Sequence, residues 1–295
     1  RAQLAEQGLK PGGPLRGRVV WRRGQREAHL FGLDEAKPKR VISEAQRKVL
    51  EQARRIQDER RRTCPDCKQV RNHEPFLSEY GLQCQECHDR HWQAERDGDK
   101  QSACEWARKV LSLGTGAVIL DTETTGLDDA YIVEIAVLGL DGSVLLDTLV
   151  DPGCDIPEDA QRIHRIKPAM VASAPMFAGL LQHLEDLLQG RRVIIYNVAF
   201  DRGVLLNELT RYFGAYAPAE GWGCKVARRR ADAWLKKVRG WRCAMKAYAK
   251  YVGDWSDYHR SYTWQPMPYG THRALGDCRG TLQLLHEMAS VQKAP

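Results

Sequence analysis

Hydrophobic spacing along the chain changes character near residue 115. Beyond it, apolar residues fall into short β-branched runs and helical stripes that alternate with one another. Ala117–Asp121 predicts a first strand, Tyr131–Leu140 a second and Ser143–Val150 a third. Asp141-Gly142 between the last two is a tight-turn pair, so those strands should form an antiparallel hairpin. Phe177, Leu180, Leu181, Leu184 and Leu188 give a helical stripe over 176–189. Arg192–Tyr196 reads as a fourth strand, with a helix over Phe200–Tyr212 after it. Residues 222–265 are rich in Trp, Arg, Lys and Tyr and read as partly helical. A last helix from Ala274 to Val291 buries Leu275, Cys278, Leu282, Leu285 and Met288. Strands alternating with helices make this part an α/β domain.

The first hundred residues carry a weaker pattern. Residues 1–15, with Gly8, Pro11, Gly12, Gly13 and Pro14, read as a loose lead-in, and 16–33 as two strands around Gly24. A helix from Ser43 to Arg62 opens on a Ser43/Gln46 capping box and carries Val49, Ala53 and Ile56 as an apolar stripe. Its other faces hold Arg47, Lys48, Arg54, Arg55, Arg60, Arg61 and Arg62. That surface suits nucleic acid, and equally a solvated amphipathic helix. Residues 88–107 read as a polar helical connector.

Composition changes this picture in two places. Apolar residues at 43% support a true core, and no run approaches the roughly 18 apolar residues of a membrane span, so no membrane association is expected. The formal charge of +7 is concentrated at one end: residues 1–103 hold 22 Lys and Arg against 16 Asp and Glu. An anionic partner at that end is the reading this favours. Nine cysteines include two Cys-x-x-Cys pairs, while Cys104, Cys154, Cys224, Cys243 and Cys278 are scattered. Such usage fits a reducing compartment with a metal site, and a cytoplasmic protein, nucleoid-associated if bacterial.

Cys64-Pro65-Asp66-Cys67 and Cys84-Gln85-Glu86-Cys87 stand sixteen residues apart. Two such knuckles can face each other and surround one tetrahedral Zn²⁺ with four thiolates, a closed and therefore structural site. His73, His88 and His91 are alternative ligands nearby. Cys84-x-x-Cys87-His88 also matches a c-type haem attachment pattern, but that leaves Cys64 and Cys67 without a role.

The second candidate centre is acidic. Asp121 and Glu123 follow three apolar strand residues and project to one face, where two carboxylates repel unless a cation joins them. Oxygen ligands favour Mg²⁺ or Mn²⁺. Asp201 follows the fourth strand in Tyr196-Asn197-Val198-Ala199-Phe200-Asp201, and Asp277 lies among apolar positions early in the last helix. His272, five residues before Asp277, would diverge from it by roughly 140° on a continuous helix. It can share a site with Asp277 only from the preceding loop.

In this order, Asp121–Leu127 (DTETTGL), Asn197–Asp201 (NVAFD) and His272–Asp277 (HRALGD) resemble the three motifs of the DEDDh 3′–5′ exonucleases. Among these are the proofreading epsilon subunit and ribonuclease T. Ile163-His164-Arg165-Ile166 is similar to the family's Ile-His-Gly-Ile segment, with Arg165 in place of Gly. Tyr196 stands where many members have His, and Cys243-Ala244-Met245 resembles a Cys-Thr-Met stretch. The resemblance implies a ribonuclease-H-like fold: a mixed five-stranded sheet flanked by helices, beside a smaller N-terminal, basic, zinc-binding domain. It implies Asp121, Glu123, Asp201 and Asp277 as ligands of two Mg²⁺ or Mn²⁺ ions, and His272 as general base. Thr124, Leu127, His164 and Asn197 would contact the terminal nucleotide.

The expected organisation is a basic hairpin and helix over 1–62, a zinc-ribbon-like four-cysteine module with connector over 63–103, and an exonuclease domain over 114–292. The expected activity is two-metal 3′–5′ hydrolysis of DNA ends. A 3′–5′ exoribonuclease of the same chemistry and a nucleic-acid-binding adaptor are the alternatives. The zinc module could grip DNA, or serve as a folding staple or a docking surface for a protein partner. Only Gln292–Pro295 follow the last helix, which favours a stand-alone or repair role over a polymerase subunit.

Overall fold

The computed structural model describes residues 1–21, 26–215 and 223–291. The turn expected at Gly24 and the tail Gln292–Pro295 lie outside the described residues. The chain divides into two units, Arg1–His91 and Trp92–Pro295, a boundary inside the stretch read as a connector.

In the second unit, a five-stranded mixed sheet runs in the order Gly240–Cys243, Arg192–Ile195, Ala117–Thr124, Ile132–Gly139, Val144–Leu149. The first three strands are parallel, and Ile132–Gly139 runs antiparallel to both its neighbours. This is the ribonuclease-H-like arrangement. The hairpin through Asp141-Gly142 forms as its turn chemistry requires, with Gly142 at φ 84°. Gly240–Cys243 was not legible beforehand: four residues, two of them Trp and Arg, carry no alternation.

Side-chain parity on the central strand organises both layers. Val118 and Leu120 face a core built with Leu180, Leu184, Leu205 and Leu209 from the helices Phe177–Leu188 and Val198–Ala215. Ala117 and Ile119 face the other way, onto Val110, Met245, Cys278 and Leu285. The latter layer includes the last helix, Ala274–Ser290. Period-2 alternation therefore sends Asp121 and Glu123 toward the last helix, and Thr122 toward the helix Val198–Ala215.

The first unit is smaller, and among the described residues its strands pair only as two-stranded ribbons. Gly17–Trp21 pairs with Arg26–Leu30, and Phe76–Ser78 with Gly81–Gln83. The lead-in is more ordered than composition suggests, with a helix at Ala2–Glu6 and Leu9–Lys10 paired to Lys37–Pro38. The basic helix occupies Glu44–Arg62, and Ser43 and Gln46 exchange both bonds of the capping box. Its apolar stripe is not buried as the spacing suggested: Val49 is 66% exposed and Ile56 45%. The polar connector forms as the helix Gln85–Leu111, which begins in the second Cys knuckle. No helix among the described residues is long and apolar enough to cross a membrane.

Candidate active site and four-cysteine centre

Asp121 and Glu123 end the central strand, at the carboxyl edge where it adjoins Arg192–Ile195. Asp277 occupies the first turn of the last helix, which packs on that same face. Single carboxylate oxygens of Asp121, Glu123 and Asp277 all lie within 4.8 Å of one another. Asp201 comes from the opposite layer. It sits at the start of the helix Val198–Ala215, buried, and its Oδ1 accepts from the Thr122 N–H at 3.1 Å and the Thr122 hydroxyl at 2.8 Å. The odd and even faces of one strand thus each contribute to the site.

These carboxylates are costly neighbours. Burial, then repulsion from Asp201, Asp277 and Glu123, lifts the Asp121 carboxyl well above its ordinary value. Burial and the charges of Asp277 and Glu134 push Glu123 up to about 8, with Arg273 opposing. Burial raises Asp201 to about 7 against the stabilising Thr122 bonds. Among the described residues, no Lys or Arg forms an ion pair with any of the four. Converging oxygen donors without a cationic partner fit a hard divalent cation, which would reverse each of these shifts.

His272 lies where geometry demanded, on the loop before the last helix, exposed and in the left-handed region at φ 54°. Both flanks of that residue are tied down. The Thr271 N–H and hydroxyl donate to Asp277 Oδ1 at 2.6 and 3.1 Å. On the other side, Arg273 Nε donates to both oxygens of Glu134 at 3.1 Å, and the Ala274 N–H to Glu134 Oε2 at 2.8 Å. Glu134, 3% exposed and paired with Glu123 across the ladder, was missed by the sequence reading. Its signal was present: one charged residue inside the apolar run Ile132-Val133-Glu134-Ile135-Ala136. Thr122, Thr271 and Arg273 were missed as well, being ordinary polar residues until the fold brings acids to them.

Thr124 is buried, its hydroxyl bonded to the Gly126 carbonyl at 2.7 Å, while Leu127 is 83% exposed. His164 is buried. Its Nδ1 accepts from the Ile166 N–H at 3.0 Å, and burial pulls the imidazole below its usual range, against the effect of the Thr124 carbonyl. Arg165 takes φ 62° at the end of the helix Glu158–His164, which explains glycine in the similar segment. Asn197 is half-buried, and its carbonyl accepts the Phe200 N–H at 3.0 Å, opening the Asp201 helix. Tyr196, which stands where many members have His, is buried and its hydroxyl donates to the Gln265 carbonyl at 2.6 Å.

In the first unit, Cys64, Cys67, Cys84 and Cys87 converge with all four Sγ within 4.8 Å of one another. Cys64 and Cys87 sulfurs are 3.9 Å apart, as are those of Cys67 and Cys84. Zinc–thiolate bonds of about 2.3 Å in a tetrahedron imply an S···S edge of about 3.8 Å, so the four residues fit that ion. Arg71 and Arg90 aim guanidinium N–H groups at Cys67 and Cys87 at 3.5 and 3.4 Å, which offsets thiolate charge. The histidines are engaged otherwise: His91 with Asp66 at 3.0 Å, His88 against Phe76 and Tyr80, and His73 outside the cluster.

Similarity to known proteins agrees with this geometry. The exonuclease family model RNase_T matches residues 118–285. An uncharacterized exonuclease of Escherichia phage 186 is 32% identical over 184 residues, which cover 58% of this chain and 87% of the phage protein. The DNA polymerase III subunit epsilon of Rickettsia felis is 35% identical over 100 residues, covering 32% of this chain and 44% of that one. Exodeoxyribonuclease 10 of Escherichia coli K12 is 39% identical over 116 residues, covering 38% and 46%. The chain therefore spans most of the phage protein but less than half of either bacterial relative. With its family model spanning both faces of the acidic strand and the helix that closes on it, the chain belongs to the RNase_T exonuclease family.

Proposed function

We propose that this exonuclease is a divalent-metal-dependent 3′–5′ enzyme that hydrolyses phosphodiester bonds at DNA 3′ ends. The convergence of Asp121, Glu123 and Asp277 oxygens, none of them in an ion pair among the described residues, is the observation that carries this reading. Those three and Asp201 would hold two Mg²⁺ or Mn²⁺ ions. Bound there, such a pair would supply positive charge at the scissile phosphate and lower the pKa of a site water so that it can give up its proton. The chain's own residues do the rest. His272 stands exposed on a loop pinned at both flanks, and takes the attacking water's proton. The Thr124 segment holds the terminal 3′ hydroxyl, exposed Leu127 packs on the last base, and His164 and Asn197 line the nucleotide's pocket. The name exodeoxyribonuclease on one relative favours DNA over RNA. In the first unit, the four cysteines would hold one structural Zn²⁺, and the basic helix Glu44–Arg62 offers a surface for the nucleic acid or a protein partner.

Asp121→Ala should abolish hydrolysis of 5′-labelled single strands in Mg²⁺ or Mn²⁺ while the circular dichroism spectrum is retained. His272→Ala should slow it by at least about 10²-fold, the lower end for loss of a general base. Undiminished metal-dependent digestion by the Asp121 variant would remove the assignment. Immediate release of the 5′ label as mononucleotide, with no ladder of shortened strands, would overturn the polarity, and faster digestion of RNA than of DNA would reassign the substrate.

A further inference from the structure

Between the helix Ala244–Val252 and the last helix stands a hairpin of two-residue strands, Trp255–Ser256 and Ser261–Tyr262. A ribbon this short does not hold itself together in water. Here it is fastened from below. Arg96, only 8% exposed, lies over the rings of Trp92, Trp255 and Tyr262, at 4.1, 4.3 and 4.9 Å from their centroids. Asp99 accepts from Lys250 Nζ and from the Tyr262 hydroxyl, each at 2.7 Å. The Thr263 N–H closes the base on the Asp254 carbonyl at 2.7 Å. Immobilising a long cation among aromatic rings costs side-chain entropy and hydration, which cation–π attraction offsets.

The parts held so firmly add nothing to a core. Tyr258 at the tip is 91% exposed, edge-on to His259 at 4.8 Å between ring centroids, and Arg260 follows in the left-handed region at φ 48°. Trp264, 68% exposed, comes directly after the hairpin. Its neighbour Gln265 is the residue whose carbonyl receives the Tyr196 hydroxyl, and Tyr196 adjoins Asn197 in the site. Exposed rings on a pinned support, interleaved with His259 and Arg260 and tied through Gln265 to Tyr196, which precedes the segment Asn197–Asp201, match the chemistry of single-stranded nucleic acid.

We propose that this pinned hairpin and Trp264 form a stacking platform for the unpaired bases upstream of the terminal nucleotide, so that strand length and base content, rather than sequence, set affinity. The inference rests on the exonuclease reading above. Stacking on one aromatic ring contributes about tenfold in affinity and tolerates any base.

The test compares the full chain with Tyr258→Ala and Trp264→Ala on a single-stranded 20-nucleotide DNA, on a dinucleotide, and on a 20-nucleotide strand with abasic sites next to its 3′ end. Each variant should raise KM for the long strand by about tenfold and have a much smaller effect on the dinucleotide. Abasic sites should weaken the parent protein similarly and the double variant hardly at all. Arg96→Lys, which keeps the charge but not the planar stack, should reproduce part of the loss with both rings present. Equal losses on long strand and dinucleotide, or no loss on either, would overturn the platform. If the parent protein digests neither substrate, the exonuclease reading fails instead. Fluorescence anisotropy of the same strands still tests the platform, and equal affinity of parent and variants there would reject it.

Discussion

Glu134 faces Glu123 across the ladder, yet its two oxygens are consumed by Arg273 and by the N–H of Ala274. A buried carboxylate so used acts on the loop that carries His272, not on a nucleotide. Glu134→Gln keeps the shape, removes the charge and leaves the guanidinium without its anion. The expected loss is about 1–3 kcal/mol of stability, below the full penalty of a buried pair because the Arg273 side chain is 47% exposed. The rate should fall about tenfold with KM little changed, because the loop that carries His272 loses its anchorage. Kinetics alongside thermal unfolding check this; a lower Tm with unaltered kcat would restrict Glu134 to stability. Arg165 makes the converse case. Its left-handed backbone costs an ordinary residue about 1 kcal/mol more than glycine, so Arg165→Gly should raise stability by roughly that amount in denaturant titration. At this scale Asp121, Glu123, Asp201 and Asp277 were readable as sequence through the motifs around them, whereas Glu134, alone in an apolar run, was not. Thr122, Thr271 and Arg273 were not, because their significance is a partner distant in the chain.

At the scale of elements, the last helix presents Asp277 because two glycines let the preceding loop lie flat on it. A Cβ on Gly276 would stand 1.9 Å from Thr271 Oγ1, and one on Gly280 2.9 Å from the Tyr269 carbonyl oxygen. Gly276→Ala should therefore push Thr271 off Asp277 and lower kcat at least about tenfold, although alanine is the better helix former by roughly 1 kcal/mol. Measuring kcat and helicity together separates these effects: unchanged turnover would show that the loop can yield. Helices and strands of this unit followed from periodicity wherever burial imposes it. The strand Gly240–Cys243 did not, since only pairing with Arg192–Ile195 gives it a conformation. The basic helix shows the limit in the other direction, for its stripe has the right spacing and still lies exposed.

The whole molecule is held under electrostatic tension that metal would relieve. Asp121, Glu123 and Asp201 all have raised folded-state values, with Glu123 about 8 and Asp201 about 7, against roughly 4 when unfolded. The folded chain then binds more protons than the unfolded one between about pH 4 and 8, so stability without metal falls as pH rises through that window. Chelated protein should melt at a lower temperature at pH 8 than at pH 6. Added Mg²⁺ or Mn²⁺ should raise Tm, and more so at pH 8, where the carboxylates are free to bind it. Calorimetry at both pH values is the check, and a metal-independent, pH-flat Tm would contradict the site.

The amino-acid sequence by itself determined the α/β alternation, the antiparallel hairpin, the capped basic helix, both Cys knuckles and the candidate acids Asp121, Glu123, Asp201 and Asp277. Each of these depends on neighbours within a few residues or on the chemistry of a single side chain. Tertiary structure decided which of these residues meet. Parity on one strand assigns Asp277 to the face of Asp121 and Glu123, and Asp201 to the side of Thr122. Burial turns Glu134 from a strand residue into the anchor of the His272 loop. Arg96 has Trp92 one turn away on its own helix, but it meets Trp255 and Tyr262 only once residues over 150 positions apart are packed together. Contacts of that range follow from the packing of layers, which local spacing does not encode.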